Sequence, residues 1–404
     1  MSVPSSRRVF VVGPLPPPVH GQATTHAFLT QHVRAALGAL VRVADTSEKG
    51  CGRWSAPVVR LSRWLAVFGI VLMRWPRRQR IYLSLSADTG MYLNAAVVAL
   101  ARWTGQALVL HHHTAGHLER SVRPMRWLAA AGGPDALHVT ICPAMSRRLR
   151  QLYPTIARTA ELSNVVQVEA RRQPRARRSS SDALVLGMLS NLTFEKGVEE
   201  AVATLEALRA SGVPVRLVLA GPAGNAAVAA FLGEKRAALG DALRLAGPVY
   251  GEAKAAFFDE IDVFVFPSRY RHETQGIVNL EALANGIPVL AYARCCIADD
   301  LAAGGGMAVP AAADFVATVL PVLQGYAADR ASLAAAAANA RKRFEELAVE
   351  GRAQLQALMT ELADAGGAAP PVFRHRPPRP DREAARRGQD REGTSLTRSP
   401  DALG

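Results

Sequence analysis

ALVLGMLSNLTFEKGVEEAVATLEALRASGVPVRLVLAG, residues 183–221, holds two short apolar runs, 183–189 and 215–221, on either side of a stretch rich in Ala, Leu and Glu. An apolar run without polar alternation suits a strand covered on both faces, and the intervening stretch has helix-forming composition. The unit reads as strand, helix, parallel strand. The same rhythm runs outward in both directions. Strands are expected near 243–247, 263–267 and 288–291 on one side, and near 8–13, 41–46, 81–86, 107–112 and 137–142 on the other. A chain of 404 residues is about twice the usual domain, so the ten strands divide into two domains. The expected fold class is α/β: two facing Rossmann-like domains, each a doubly wound parallel sheet, with a cleft between them.

Composition sets the expected limits. Residues 171–182, RRQPRARRSSSD, cannot bury anything and read as a linker between domains spanning 1–170 and 183–345. Residues 330–364 have helical composition, and the part over 346–365 is expected to pack back on the first domain. From 366 to 404 Pro, Arg and Gly dominate, and the tail reads as disordered. The longest apolar run, 64–73, has ten residues where a bilayer span needs about 20. The first residues lack the apolar core of a signal peptide, so a cytoplasmic location is expected. Cys51, Cys142, Cys295 and Cys296 show neither metal-ligand spacing nor a disulfide framework and read as buried or idle thiols.

The formal charge of +14 is unevenly placed. Residues 1–164 carry 20 Lys and Arg against 6 Asp and Glu, whereas 183–365 carry 15 against 21. The densest part, 53–80, has seven arginines and no carboxylate, including Arg63, Arg74, Arg77, Arg78 and Arg80, interleaved with Trp54, Trp64 and Trp75. Such a stretch suits anionic lipid headgroups on the inner face of a membrane, each basic residue adding about 1 kcal/mol near the surface. A core helix with solvated arginines is the other reading.

In open parallel sheets a ligand sits beyond the carboxyl ends of the strands, so polar residues just after strands are the candidates. After the first strand, GPLPPPVHGQATTH (13–26) brings Gly21 to a helix start, where backbone N–H groups can meet a phosphate. It lacks the glycine pattern of dinucleotide sites and the Gly-Lys-Ser/Thr of P-loops. After the fourth strand come His111, His112, His113 and Thr114. Consecutive strand residues face opposite ways, which makes three of them poor joint metal ligands, and His113 is the one expected to reach the cleft as a donor to hydroxyl or phosphate. In the second half Lys196 stands at a helix start, against the dipole preference for anions, and the chain has only five lysines. A bound diphosphate supplies a reason for it. The strongest signal is FPSRYRHETQGIVNLEALANGIPVLA (266–291). Glu273 ends a loop, Gly276, Ile277 and Val278 open a helix whose N–H groups suit phosphate oxygens, and Glu281 lies eight residues past Glu273. Two carboxylates can accept hydrogen bonds from the vicinal hydroxyls of a sugar and a ribose.

These motifs resemble the retaining glycosyltransferases of family 4, whose two-domain architecture is called GT-B. The resemblance spans nearly the whole folded chain. It is carried by Gly21 after the Pro-rich turn, His113-Thr114, Asn164-Val165, Glu195-Lys196-Gly197, Ala220-Gly221-Pro222, Asp262 with Phe266-Pro267-Ser268, and Glu273-x7-Glu281 followed by Ala282-Leu283-Ala284-Asn285-Gly286. It implies a nucleotide-diphosphate-sugar donor on the second domain and an acceptor on the first. Lys196 would hold the diphosphate, Glu281 the ribose and Glu273 the transferred sugar. The Gly276, Ile277 and Val278 amides would line the pyrophosphate, Gly21 would face the leaving phosphate, and Gly221 would border the donor. Where the family usually has an arginine, five residues before the lysine, this chain has Asn191, which keeps a hydrogen bond and loses a charge. No Asp-x-Asp occurs, so a cofactor-free, metal-independent transfer is expected.

The basic first half favours a lipid-linked saccharide acceptor in exopolysaccharide or lipopolysaccharide assembly, with peripheral contact to the inner membrane. A nucleotide-sugar epimerase or hydrolase on the same scaffold is the alternative enzyme. A basic nucleic-acid-binding protein is the alternative class, and the clustered site chemistry argues against a nucleic-acid partner.

Overall fold

The computed structural model describes residues 8–17, 21–47, 56–73, 79–169 and 183–363. The 171–182 linker, the tail from 366, and Arg74, Arg77 and Arg78 lie outside the described residues. The first half contains strands β1 (Val9–Gly13), β2 (Val41–Asp45), β3 (Arg80–Ser84), β4 (Ala107–His111), β5 (Leu137–Thr140) and β6 (Arg158–Glu161). Between and after them run helices α1 (Gly21–Leu37), α2 (Ala56–Met73), α3 (Gly90–Trp103), α4 (Gly116–Glu119), α5 (Arg123–Gly132) and α6 (Pro143–Leu152). The second half contains β7 (Leu184–Leu189), β8 (Val215–Ala220), β9 (Leu243–Gly247), β10 (Val263–Phe266), β11 (Val289–Tyr292) and β12 (Gly306–Val309). Its helices are α7 (Val198–Ala210), α8 (Ala226–Leu239), α9 (Gly251–Glu260), α10 (Ile277–Ala284), α11 (Ile297–Leu301), α12 (Phe315–Ala328) and α13 (Arg330–Ala363).

The strands form two six-stranded parallel sheets, ordered β2-β1-β3-β4-β5-β6 and β12-β11-β10-β7-β8-β9. This is the expected pair of doubly wound sheets. The ten apolar runs supply all eight central strands and the edge strands β2 and β9, and β1, β3 and β7 are buried along their whole length. Strands β6, with sequence RTAE, and β12, with GMAV, are additional to the ten expected. Both are edge strands, covered less completely, so their residues need not form an apolar run.

Helix α13 runs unbroken for 34 residues across the expected boundary at 345/346. Its first half contributes Leu333 to the core of the second sheet, and Ala340, Phe344 and Leu347 to a cluster beneath its other face. Its last turns contribute Leu358 and Leu362 to the first-sheet cluster of Val9, Val11 and Tyr82. Arg80 and Arg158 both pair with Glu361, Arg80 at 2.8 Å and Arg158 at 3.4 Å.

That pairing corrects one expectation. A membrane-facing surface is expected to include Arg80, yet this residue opens β3, is buried, and its charge is met by Glu361. Arg63 is half-buried, with its guanidinium 3.4 Å from the Ser47 hydroxyl, and so is not a freely projecting cation either. Helix α2 carries two apolar stripes. Trp64, Val67 and Val71 enter the core, while Val58, Leu61, Leu65 and Leu72 are more than half exposed. Spacings of three, four and seven residues keep each stripe on one face. Among the described residues no helix is long and apolar enough to cross a membrane.

Candidate active site

In the second sheet the chain winds outward from β7 through β8 to β9, then returns beside β7 as β10. The loops leaving β7 and β10 therefore diverge and leave a crevice at the carboxyl ends, where doubly wound sheets hold ligands. Lys196 comes from the first of these loops and Glu273 from the second. The Lys196 ammonium lies 2.5 Å from Oε2 of Glu273, with side-chain exposures of 20% and 11%. Oε2 also accepts from the Ser268 hydroxyl at 3.4 Å, and the ammonium sits 4.6 Å from the centre of the Tyr270 ring.

The backbone on both sides is built for this meeting. A single 3₁₀ turn, Phe194–Lys196, is capped by the Thr193 hydroxyl, which accepts from the Lys196 N–H at 3.2 Å. Gly197 then takes φ +84, and a Cβ there would stand 2.2 Å from the Pro267 carbonyl oxygen, so only glycine lets the β7 loop reach the β10 loop. Gly221, after β8, is buried in the same way: at φ +123 a Cβ would overlap the Ser190 carbonyl oxygen. Asn191 lies exposed in the turn after β7.

Gly276, at φ +65, turns the chain into α10, and no side chain caps that helix. The first-turn N–H groups that include Ile277 and Val278 have no intrahelical acceptor by construction. One turn further on, Glu281 is mostly buried and pairs with Lys254 of α9. Burial pushes its carboxyl pKa above the ordinary value, and the Lys254 ammonium opposes that shift. Its second oxygen, Oε2, is buried and has no hydrogen-bond donor among the described residues.

The first sheet supplies the opposing wall. Gly21 is exposed as the first residue of α1, with open space where a Cβ would stand. The Gln22 side-chain amide donates to the Ser84 hydroxyl at 3.0 Å and the Leu85 carbonyl at 2.9 Å, tying α1 to the end of β3. His113 follows β4 with 9% exposure, its ring 4.0 Å from that of His111, and its carbonyl accepts from the Thr274 hydroxyl at 3.5 Å. His113 thus lies beside the neighbour of Glu273. His112 does not face the cleft. It is a core ring, 3.0 Å from His117 and 2.9 Å from His138, and burial lowers the pKa of all three.

Some residues at the site were not singled out from the sequence. Lys254 is another of the five lysines, and that scarcity was the available signal. Gln275 is a buried hub: its carbonyl oxygen accepts from the Asn164 N–H at 2.9 Å, and its amide donates to Ser163 at 2.9 Å and to Asp300 at 3.1 Å. Nothing local marks Gln275, because its partners lie 25 to 112 positions away. The cysteines also depart from expectation. Cys142 and Cys296 are joined by a disulfide, and Cys295 stands beside them as a free thiol.

Residues 169–343, which contain both sides of this crevice, match the family model of the group 1 glycosyl transferases. Over nearly nine-tenths of its length the chain shares its fold with solved glycosyltransferases. The match to sucrose-phosphate synthase from Thermosynechococcus elongatus has a TM-score of 0.65 at 17% identity, over 88% of this chain and 99% of that one. HepE from Anabaena, in complex with UDP-glucose, matches with a TM-score of 0.62 at 17% identity, over 88% of this chain and 100% of that one. WaaG, a glycosyltransferase involved in lipopolysaccharide biosynthesis, matches with a TM-score of 0.58 at 14% identity, over 89% and 100%. No curated protein matches the sequence. These findings support a transferase with the GT-B fold.

Proposed function

We propose that this transferase is a retaining glycosyltransferase of family 4, moving a sugar from a nucleotide-diphosphate-sugar to a lipid-linked saccharide in cell-surface polysaccharide assembly. The observation that carries the reading is the contact between Lys196 and Glu273 at the switch point of the second sheet. Breaking an anomeric C–O bond leaves a positive sugar ring and a negative diphosphate, so a catalyst gains most by stabilising the leaving group. Lys196 and the α10 amides of Gly276, Ile277 and Val278 meet that charge from two sides. Glu273, next to the ammonium, accepts from hydroxyls of the transferred sugar. Glu281 accepts from the ribose through Oε2, which has no protein donor among the described residues. Asn191 and Gly221 border the donor after β7 and β8, and Gly21 and His113 face the transferred group from the first sheet. The acceptor hydroxyl attacks on the face the diphosphate leaves, the diphosphate removes its proton, and configuration is retained. The charge is met by protein groups, and no metal is assigned to the step.

The donor is the first thing to test. Ligands that bind only the folded state stabilise it by about 2.7 kcal/mol at a hundredfold excess over Kd, which for a chain of this size is a rise in melting temperature of roughly 5 °C. Among UDP-, GDP- and ADP-sugars, one nucleotide series should give this shift, and its product should keep the anomeric configuration by NMR. If no series shifts the melting curve, the donor site is not where it is placed here.

Support for the membrane side of the reading comes from α2, whose stripe of Val58, Leu61, Leu65 and Leu72 is exposed beside the arginine-rich segment. Apolar side chains flanked by basic ones bind at the boundary of an anionic bilayer. The wild-type chain should float with phosphatidylglycerol vesicles at low salt, and a Leu61→Asp, Leu65→Asp double variant should remain in the dense fraction. Equal flotation of the two proteins would remove α2 from the membrane contact.

A further inference from the structure

The loops of the two sheets meet at several points, and one of the links is covalent. Cys142 precedes α6 at the carboxyl end of β5, and Cys296 follows β11 just before α11. They are 154 positions apart, with Cα atoms 5.8 Å from each other, within the normal span for a disulfide. Cys296 is buried among first-sheet residues and belongs to the same cluster as Cys142, Ile141 and Met145. One wall of the cleft is therefore bonded into the core of the other.

Weaker contacts surround the bond. Arg294 pairs with Glu119 at 3.3 Å, and His272 stands 3.7 Å from Asp88. The Cys296 N–H donates to the Thr274 carbonyl at 2.9 Å, and the Thr274 hydroxyl donates to the His113 carbonyl. The disulfide is thus one hydrogen bond from the residue that follows Glu273. A third sulfur completes the group. Cys295 is half-buried, its Sγ lies 3.9 Å from that of Cys296, and all three sulfurs fall within 4.8 Å of one another.

We propose that Cys142 and Cys296 form a reversible clamp, which fixes the two walls of the cleft in contact when oxidised and frees them when reduced, with Cys295 as the thiol through which exchange enters. Enzymes that bind substrate between two domains open and close in each turnover, so a covalent tie across the cleft holds back substrate entry and product release. Closing needs a low-molecular-weight disulfide, RSSR, as oxidant. The Cys295 thiolate attacks one sulfur of RSSR, forming Cys295–S–SR and expelling RS⁻. The Cys142 thiolate then attacks Sγ of Cys295, expelling the second RS⁻. The Cys296 thiolate attacks Sγ of Cys142, and Cys295 leaves as a thiolate and recovers its proton. The balance is two protein thiols and RSSR giving one protein disulfide and two RSH, the two protons passing to the departing thiolates. Excess RSH reverses every step. Burial holds the Cys295 thiol up at about 12, so little thiolate is present near neutral pH and closing is slow there.

The activity arm of the test rests on the proposed transferase reading, and the structural arm does not. The full chain is equilibrated with oxidised or reduced glutathione, and free thiols are blocked with iodoacetamide. Peptide mapping should find the Cys142–Cys296 link in the oxidised sample alone. Backbone hydrogen exchange over 272–296 and 116–119 should be at least tenfold slower in the oxidised sample. The Cys295→Ser variant should reach the same link at least tenfold more slowly, and Cys142→Ser and Cys296→Ser should exchange like the reduced wild type in either mixture. Once a donor is known, the oxidised enzyme should transfer sugar at least tenfold more slowly than the reduced one. Failure to form the link, or equal exchange in the two samples, overturns the clamp whatever the substrate proves to be. Equal transfer rates with the link shown to be present overturn its control of turnover and leave the donor assignment untouched.

Discussion

Lys196→Ala should lower the rate of sugar transfer by about 10² or more while leaving the fold recognisable by circular dichroism. The ammonium is the cation in contact with Glu273, 2.5 Å away in the crevice between β7 and β10. Removing one preorganised charge from a site that stabilises a developing anion costs on the order of 10² to 10³ in kcat. Glu281→Gln should produce a loss of similar size, expressed more in donor affinity, because its partner Lys254 remains and only the acceptor charge toward the ribose is gone. The two variants also differ in stability. Without Lys196 the Glu273 carboxylate, 11% exposed, keeps a neutral hydroxyl partner in Ser268 and has no other ion pair among the described residues, so the variant should also melt lower. The double variant Lys196→Ala, Glu273→Gln should regain most of that melting temperature and none of the activity. Near-normal rates in both Lys196→Ala and Glu281→Gln would remove these residues from the site.

Acid should unfold the protein as the pH falls from about 7 toward 4. Burial lowers His26 and His117 to about 4 and His111 and His138 to about 3. His112, bonded to both His117 and His138, is lowered well below the ordinary value in the same direction. In the unfolded chain these rings take up protons at about 6.5. Between that pH and the folded values the unfolded state binds more protons. The stabilisation is therefore complete above about pH 6.5 and drains away as pH falls toward 3 or 4. A shift of this size is worth about 3 to 5 kcal/mol per ring, and a typical domain has only about 5–15 kcal/mol in total. The first sheet should then give way between roughly pH 4 and 6, before all the rings can charge in place. Asp300 acts in the opposite sense. Burial raises it to about 7, so its contribution is full at low pH and is lost as pH rises through 7. One group of that kind, about 4 kcal/mol, does not offset four or five histidines. Urea midpoints at pH 7, 6 and 5 should fall steeply, and His138→Asn should flatten the dependence. Identical midpoints at pH 7 and pH 5 would show that the rings are not held neutral by burial.

Much of the framework is legible in the sequence, because strands buried on both faces must be apolar throughout. The four edge strands escape that requirement, and two of them, β6 with RTAE and β12 with GMAV, carry no comparable signal. Lys196 and Glu273 can be read for a related reason: a doubly wound sheet places the loops after β7 and β10 on either side of one crevice, whatever their composition. The charge of Arg80 reads wrongly, since its partner Glu361 arrives from 281 positions away on a helix that crosses both cores. The same distance effect hides the disulfide. Cys142 and Cys296 have no spacing rule to connect them, and only the packing of one sheet against the other brings them within bonding reach.

Helix α13 has a mechanical consequence. At about 1.5 Å per residue its 34 residues extend for roughly 51 Å, with one end anchored under each sheet. Gly351 marks the crossover: a Cβ there would come within 2.4 Å of the Val165 side chain, so the rod is notched where it passes from one anchorage to the other. Any swing of one sheet against the other must lever this rod, and the notch sets the fulcrum.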